Sequence, residues 1–146
     1  MAFINQTVMI SESNKQTPFF KFENLRIYFK AVDFSNAILA LSANSENTKY
    51  AHFMEDFFHT ANEICLSVAD GAAEPKSIFI SKLNLTKSAI RKCVVYCSLA
   101  SRNNLIDSEQ ENDIRNELME LTKMVGALIT SLQKQDIIQD DNNNDI

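Results

Sequence analysis

Apolar residues return every three or four positions in four separate stretches of the chain, and this spacing predicts four amphipathic helices. The first runs from about Asn24 to Ser42, with Leu25, Tyr28, Ala31/Val32, Ser35, Ile38/Leu39 and Ser42 on one face. Asn24 is its expected N-cap, and Phe22 the residue that folds back on the first turn. The second runs from about Tyr50 to Ala69, with Phe53/Met54, Phe57, Ala61, Ile64/Cys65 and Val68 inward, and Thr48 or a neighbour capping its start. The third, from about Ser77 to Arg102, turns Ile78/Phe79, Lys82/Leu83, Thr86, Ala89/Ile90, Cys93/Val94, Cys97 and Ala100 to one side. The fourth opens on Ser108-Glu109-Gln110-Glu111, which reads as an S-x-x-E capping box. Its inner row is Ile114, Leu118, Leu121, Val125, Leu128/Ile129 and Leu132.

Helix breakers are few: two glycines and two prolines in 146 residues. Tight-turned sheet proteins need more of both, so the expected fold is all-α, an antiparallel up-and-down four-helix bundle. Gly71 reads as the C′ residue that ends the second helix, and Pro75 falls just before the third. Gly126 lies inside the fourth helix at a cost of about 1 kcal/mol relative to alanine, which predicts a close helix approach there. The organisation is then an arm over residues 1–18, a bundle over 19–135, and an acidic disordered tail over 136–146. The arm reads either as an ordered extension onto a second subunit or as a frayed end.

No apolar run reaches the ~18 residues of a membrane span, and the first residues lack a basic segment before their apolar ones. No membrane contact and a cytoplasmic location are expected. The three cysteines, Cys65, Cys93 and Cys97, are an odd number and read as buried thiols.

The net charge of −5 hides a segregated distribution. Four aspartates and no base lie in the last eleven residues; the remainder holds 14 bases against 15 acids. Between Pro75 and Ile106 there are six bases and no acid: Lys76, Lys82, Lys87, Arg91, Lys92 and Arg102. From Asp107 to Glu120 there are six acids against Arg115 alone. Two readings follow. Lys76, Lys82, Lys87, Arg91 and Lys92 form a stripe that tracks the phosphates of RNA or DNA without sequence readout. Alternatively, the acids of the fourth helix pair with the third: Glu109, Glu111 and Asp113 near Arg102, Glu117 and Glu120 toward Arg91 and Lys92. A protein partner engaged by the acidic fourth helix or tail is a further alternative.

Several motifs also stand in the order found in a known family. Phe22-Glu23-Asn24-Leu25-Arg26-Ile27-Tyr28-x-x-Ala31 resembles the F-E-x-L-x-V-[WY]-x-x-A opening of the four-helix-bundle proteins named after 23S rRNA intervening sequences. His59 to Gly71, with Ala61, Ile64, Ala69 and Asp70, stands in register with the family segment R-A-A-x-S-I-x-x-N-I-A-E-G. The family's Arg, Asn and Glu are here His59, Ser67 and Asp70. Phe79-Ile80-x-x-Leu83 with Ser88-Ala89, and Leu121 to Leu132, echo its third and fourth helices. The resemblance implies a cytoplasmic bacterial bundle that assembles as a homopentameric ring. It also implies kinship with an accessory protein of diversity-generating retroelements, which partners a reverse transcriptase and binds nucleic acid. The third helix departs from the family pattern in having Arg91-Lys92-Cys93 after its S-A pair.

Candidate chemistry is otherwise sparse. His52, Glu55 and His59 fall on one face of the second helix, spacing that could begin a metal site with Cys93 or Cys97 opposite. A di-iron bundle needs Glu-x-x-His pairs and more inward carboxylates, so a solvated or interface histidine pair is the favoured reading, with no metal or cofactor. Asp70 has neither a second acid nor a nucleophile in view, so no residue is assigned to catalysis. Phe29 and Phe34 lie off the first helix's inner row and read either as an oligomer interface or as part of a wide core.

Overall fold

A computed structural model describes residues 18–44 and 48–143, with side chains described for 18–44 and 49–135. Expectations for the first seventeen residues, and for the acidic side chains after 135, lie outside the described residues. Four helices follow one another as α1 (Arg26–Ala43), α2 (Ala51–Ala72), α3 (Lys76–Arg102) and α4 (Ser108–Asn143). Short 3-10 turns, Lys21–Asn24 and Thr48–Tyr50, precede the first two. α1 packs on α2, α2 on α3, α3 on α4, and α4 closes more loosely on α1. That order is the antiparallel up-and-down bundle the spacing predicts. α1 and α3 therefore stand at diagonally opposite corners.

The core is a single cluster drawn from all four helices, including Phe34, Ile38, Phe57, Ile64, Leu83, Cys93, Leu118 and Val125, all exposed by 1% or less. Burying a side chain such as Phe34 contributes roughly 1.5–3 kcal/mol, and together these residues make the four faces cohere. Tyr96 of α3 inserts between Phe57, stacked at 5.5 Å, and Phe53, edge-on at 5.4 Å. On α1 the buried face is rotated from the expected one. Ile27, Ala31, Phe34, Ser35 and Ile38 point inward while Val32 and Leu39 face outward.

The helix ends differ from expectation in instructive ways. Leu25, not Asn24, is the N-cap of α1 and makes no side-chain capping bond. Phe22 does fold back, meeting Tyr28 edge-on at 5.0 Å. Tyr50 precedes α2, again without a side-chain cap. The capping box of α4 sits one residue earlier than Ser108. The Gln110 backbone N–H donates to Asp107 Oδ1 at 2.7 Å and the Asp107 N–H donates to Gln110 Oε1 at 2.9 Å. Asp107-x-x-Gln110 thus satisfies two orphan donors reciprocally. α4 also continues as helix through 136–143, the segment assigned to the tail.

Both glycine expectations are overturned. α2 runs past Gly71 to Ala72 without a left-handed residue there. A Cβ on Gly71 would lie 2.8 Å from both Lys82 Cβ and the Phe79 ring, so α2 and α3 approach closely at Gly71. Around Gly126, by contrast, an added Cβ meets nothing within 4 Å. The left-handed position is Asn104, φ 56°, in the α3–α4 turn. There the Leu105 N–H bonds Ala100 O at 2.9 Å and the Asn104 N–H bonds Ser101 O at 3.1 Å, a Schellman closure with asparagine where glycine is commoner.

Candidate functional site: the groove between α2 and α3

Gly71 brings α2 and α3 together, and the residues flanking the contact fall in pairs. Ser67 and Thr86 hydroxyls meet at 2.6 Å, level with one another across the seam. Thr86 is fully buried and donates to Lys82 O at 3.0 Å, so the pair satisfies itself inside an otherwise apolar contact. On the outer side of this seam lies a groove of 480 Å³. Glu63, Leu66, Ser67 and Asp70 line it from α2, and Lys82, Leu85, Ser88 and Lys92 from α3. Its floor is apolar, with Leu66 64% and Leu85 59% exposed.

An ion pair stands at each end. Lys82 Nζ lies 2.9 Å from Asp70 Oδ2, and Lys92 Nζ lies 3.6 Å from Glu63 Oε2. The hydrogen bond to Asp70, then its charge, pushes the Lys82 ammonium above its ordinary value. Both pairs are solvent-facing, so water screens them and they contribute little to stability. Their larger effect is on the surface potential, because two of the five cations of the basic stripe are neutralised.

The neutralising acids come from α2, which corrects the expectation that α4 supplies them. The α3 residues turned toward α4 are instead Ser98 and Ser101. Ser101 bonds the Glu111 carboxylate and Ser98 accepts from Arg115 Nη2 at 2.7 Å. Glu111 also pairs with Arg115 on its own helix at 3.3 Å. The Ser101 hydroxyl, with Arg115, holds the Glu111 carboxyl below its usual range despite some loss of water around it. Glu120 reaches across to Lys30 of α1 at 3.3 Å, not back to Arg91 or Lys92. Burial pushes the neighbouring Glu117 carboxyl up, opposed by Lys30. Lys87 is half-buried and Arg91 exposed, and among the described residues neither forms a salt bridge. Lys76 sits at the first residue of α3.

The other expected site residues fall apart or inward. His52 Nδ1 lies 3.6 Å from Glu55 on the exposed side of α2, and His59 rests beside the Phe58 ring. Cys93 and Cys97 are fully buried in the core, and among the described residues no group of three His, Cys, Asp or Glu could hold a metal ion. Phe34 is 1% exposed within one chain, so it belongs to the core and not to an interface; Phe29 remains 43% exposed. Of the family-motif positions, Ala61, Ile64 and Gly71 are buried, Phe22, Leu25, Tyr28 and Ala69 are half-buried, and Asp70 is exposed.

Sequence reasoning missed Leu66, Leu85 and Glu63 as groove residues. A signal was present: Leu85, Val95 and Leu99, joined by Ile78, which was expected in the inner row and instead faces outward, recur at heptad-type intervals on the side of α3 that the core row leaves free. In chain order they are 43%, 59%, 58% and 43% exposed. Chemically, the groove offers an apolar floor, two self-neutralised ion pairs and hydroxyls already bonded to each other or to backbone, as Thr86 is to Lys82 O at 3.0 Å. That composition suits a contact surface. No helix among the described residues is long and apolar enough to cross a membrane. No family model, curated protein or solved structure matches this chain.

Proposed function

We propose that this chain is a non-catalytic scaffold that works as an assembly of its own copies. The observation that carries the reading is the second apolar row on α3, formed by Ile78, Leu85, Val95 and Leu99. A surface helix of a monomeric bundle needs one apolar face; a second row of exposed apolar residues fits a partner. Phe29, Val32 and Leu39 repeat the pattern on the outward side of α1, at the diagonal corner. The resemblance to the intervening-sequence bundle family supports self-assembly too, since its members form rings of five. A reverse-transcriptase partner comes with that resemblance alone. Light scattering tests the reading: a mass above the 16.5 kDa of one chain is expected, and a single-chain mass at every concentration overturns it.

Nucleic-acid contact is a second reading, favoured by one observation: Lys87 and Arg91, neighbours at i and i+4, form no salt bridge among the described residues, whereas Lys82 and Lys92 do. Two available cations per chain give weak, salt-sensitive binding, with a slope of roughly −2 in log affinity against log salt. Charge reversal at Arg91 that leaves RNA affinity at low salt unchanged removes this reading. Engagement of a basic partner by α4 has less support, because Glu111 and Glu120 already hold Arg115 and Lys30.

A further inference from the structure

The outward row of α3 is bordered by opposite charges on its two sides. On the α2 side stand Asp56, Glu63 and Asp70, each one heptad from the next and all exposed. On the other side α3 carries Lys87, Arg91 and Arg102. The contacts across the seam set the levels. Gly71 lies beside Lys82, Ser67 beside Thr86, and Glu63 beside Lys92. Continuing this antiparallel register, Asp70 lies near the height of α3 residue 83, Glu63 near 90 and Asp56 near 97. The bases opposite lie at 87, 91 and 102, within about 8 Å of those heights at ~1.5 Å per residue.

From this arrangement we infer that the outward face of α3 is a docking surface for a second copy of the same chain, with the two α3 helices parallel and in register about a twofold axis. The inference deepens the self-assembly reading and rests on it. A twofold axis running along α3 exchanges left and right while keeping height. It therefore lays the acid border of each copy over the base border of the other, with Glu63, which also holds Lys92 of its own chain, against Arg91, and Asp70, which also holds Lys82, against Lys87. An antiparallel pair keeps left and right, setting acids on acids and bases on bases. Complementary charge thus selects the parallel arrangement. The apolar row supplies the seam: Leu85, Val95 and Leu99 meet their own counterparts, with Ser81 and Ser88 between them allowing close approach. Lys92 is the charge inside the row, where Glu63 of its own chain holds it to the side, and Arg102, one heptad past Val95, closes its end. A single polar residue in such a seam fixes register. α3 is ~40 Å long and about 10 Å across, and the α2 flank that carries Glu63 and Asp70 widens the face.

The test uses the full chain and two kinds of variant. Arg91→Glu and Glu63→Arg are each expected to weaken self-association at least tenfold by sedimentation velocity, and the double variant to recover most of the loss. Within one chain residues 63 and 91 border opposite sides of the row, so recovery reports contact between copies. Leu99→Cys is expected to form a disulfide-linked dimer under mild oxidation, with wild type, whose Cys93 and Cys97 are buried, as control. Retained helical circular dichroism checks that the variants fold. If wild type self-associates but Leu99→Cys does not cross-link, or the double variant recovers nothing, the twofold arrangement falls while self-assembly stands. If wild type is a single chain throughout, both fall.

Discussion

Gly71 of α2 stands so close to Phe79 of α3 that a Cβ in its place would come 2.8 Å from the ring. The same added atom would come 2.8 Å from Lys82 Cβ, whose ammonium caps Asp70 one residue away. One missing methyl therefore sets both the depth of the α2–α3 seam and the position of the groove's upper ion pair.

The two glycines should respond in opposite senses. Gly71→Ala forces Phe79 or the helix axes to shift and is expected to cost about 1–3 kcal/mol, as overpacked contacts do. Gly126→Ala meets open space on an α-helix and is expected to stabilise by about 0.5–1 kcal/mol. Urea denaturation of both variants reads the difference. A destabilising Gly126→Ala would mean that something covers that site.

The start of α4 offers a cleaner comparison. Asp107→Ala removes the oxygen that accepts the Gln110 N–H and is expected to cost about 1 kcal/mol. Ser108→Ala, at the first helical residue, is expected to change stability by less than about 0.5 kcal/mol. Thermal melts that rank the two in the reverse order would place the cap at Ser108 after all.

Core thiols should make the fold sensitive to alkali. Burial pushes Cys93 up to about 12 and Cys97 up to about 11, whereas both ionise near 8.5 when unfolded. Above that value the unfolded chain gives up protons that the folded chain keeps, so stability falls as pH rises from about 8.5 to 11. Cys93→Ala with Cys97→Ala should flatten that decline, whatever it does to stability at neutral pH. Denaturant midpoints at pH 7.5 and 9.5 decide it, and an equal decline in the double variant would contradict the assignment.

The inner rows of α2, α3 and α4 were legible because apolar spacing along a helix reports which side is buried. Met54, Phe57, Leu83, Ile90, Ile114 and Val125 all lie where the spacing puts them. On α1 the row was misplaced by a fraction of a turn, because apolar residues surround the helix. Nothing local distinguishes Phe34, which is buried, from Val32, which is not. The glycines were misassigned for a different reason. A glycine records only a missing Cβ, and whether the gap is used depends on how two helices cross. The ion pairs of α3 went to α2 because Lys82 and Lys92 sit on the flank of α3 that borders α2, which the charge blocks along the chain cannot reveal. Ser35 bonding Asn62, and Lys30 reaching Glu120, likewise depend on which flanks of α1 face α2 and α4.

The mass of the full chain in solution, by light scattering across a concentration series, tests the central claim most directly. A mass twice the 16.5 kDa of one chain, reduced by Arg91→Glu and recovered with Glu63→Arg, is the predicted result. A single-chain mass at every concentration would contradict self-assembly, and a mass of five chains would replace the twofold pair by a ring.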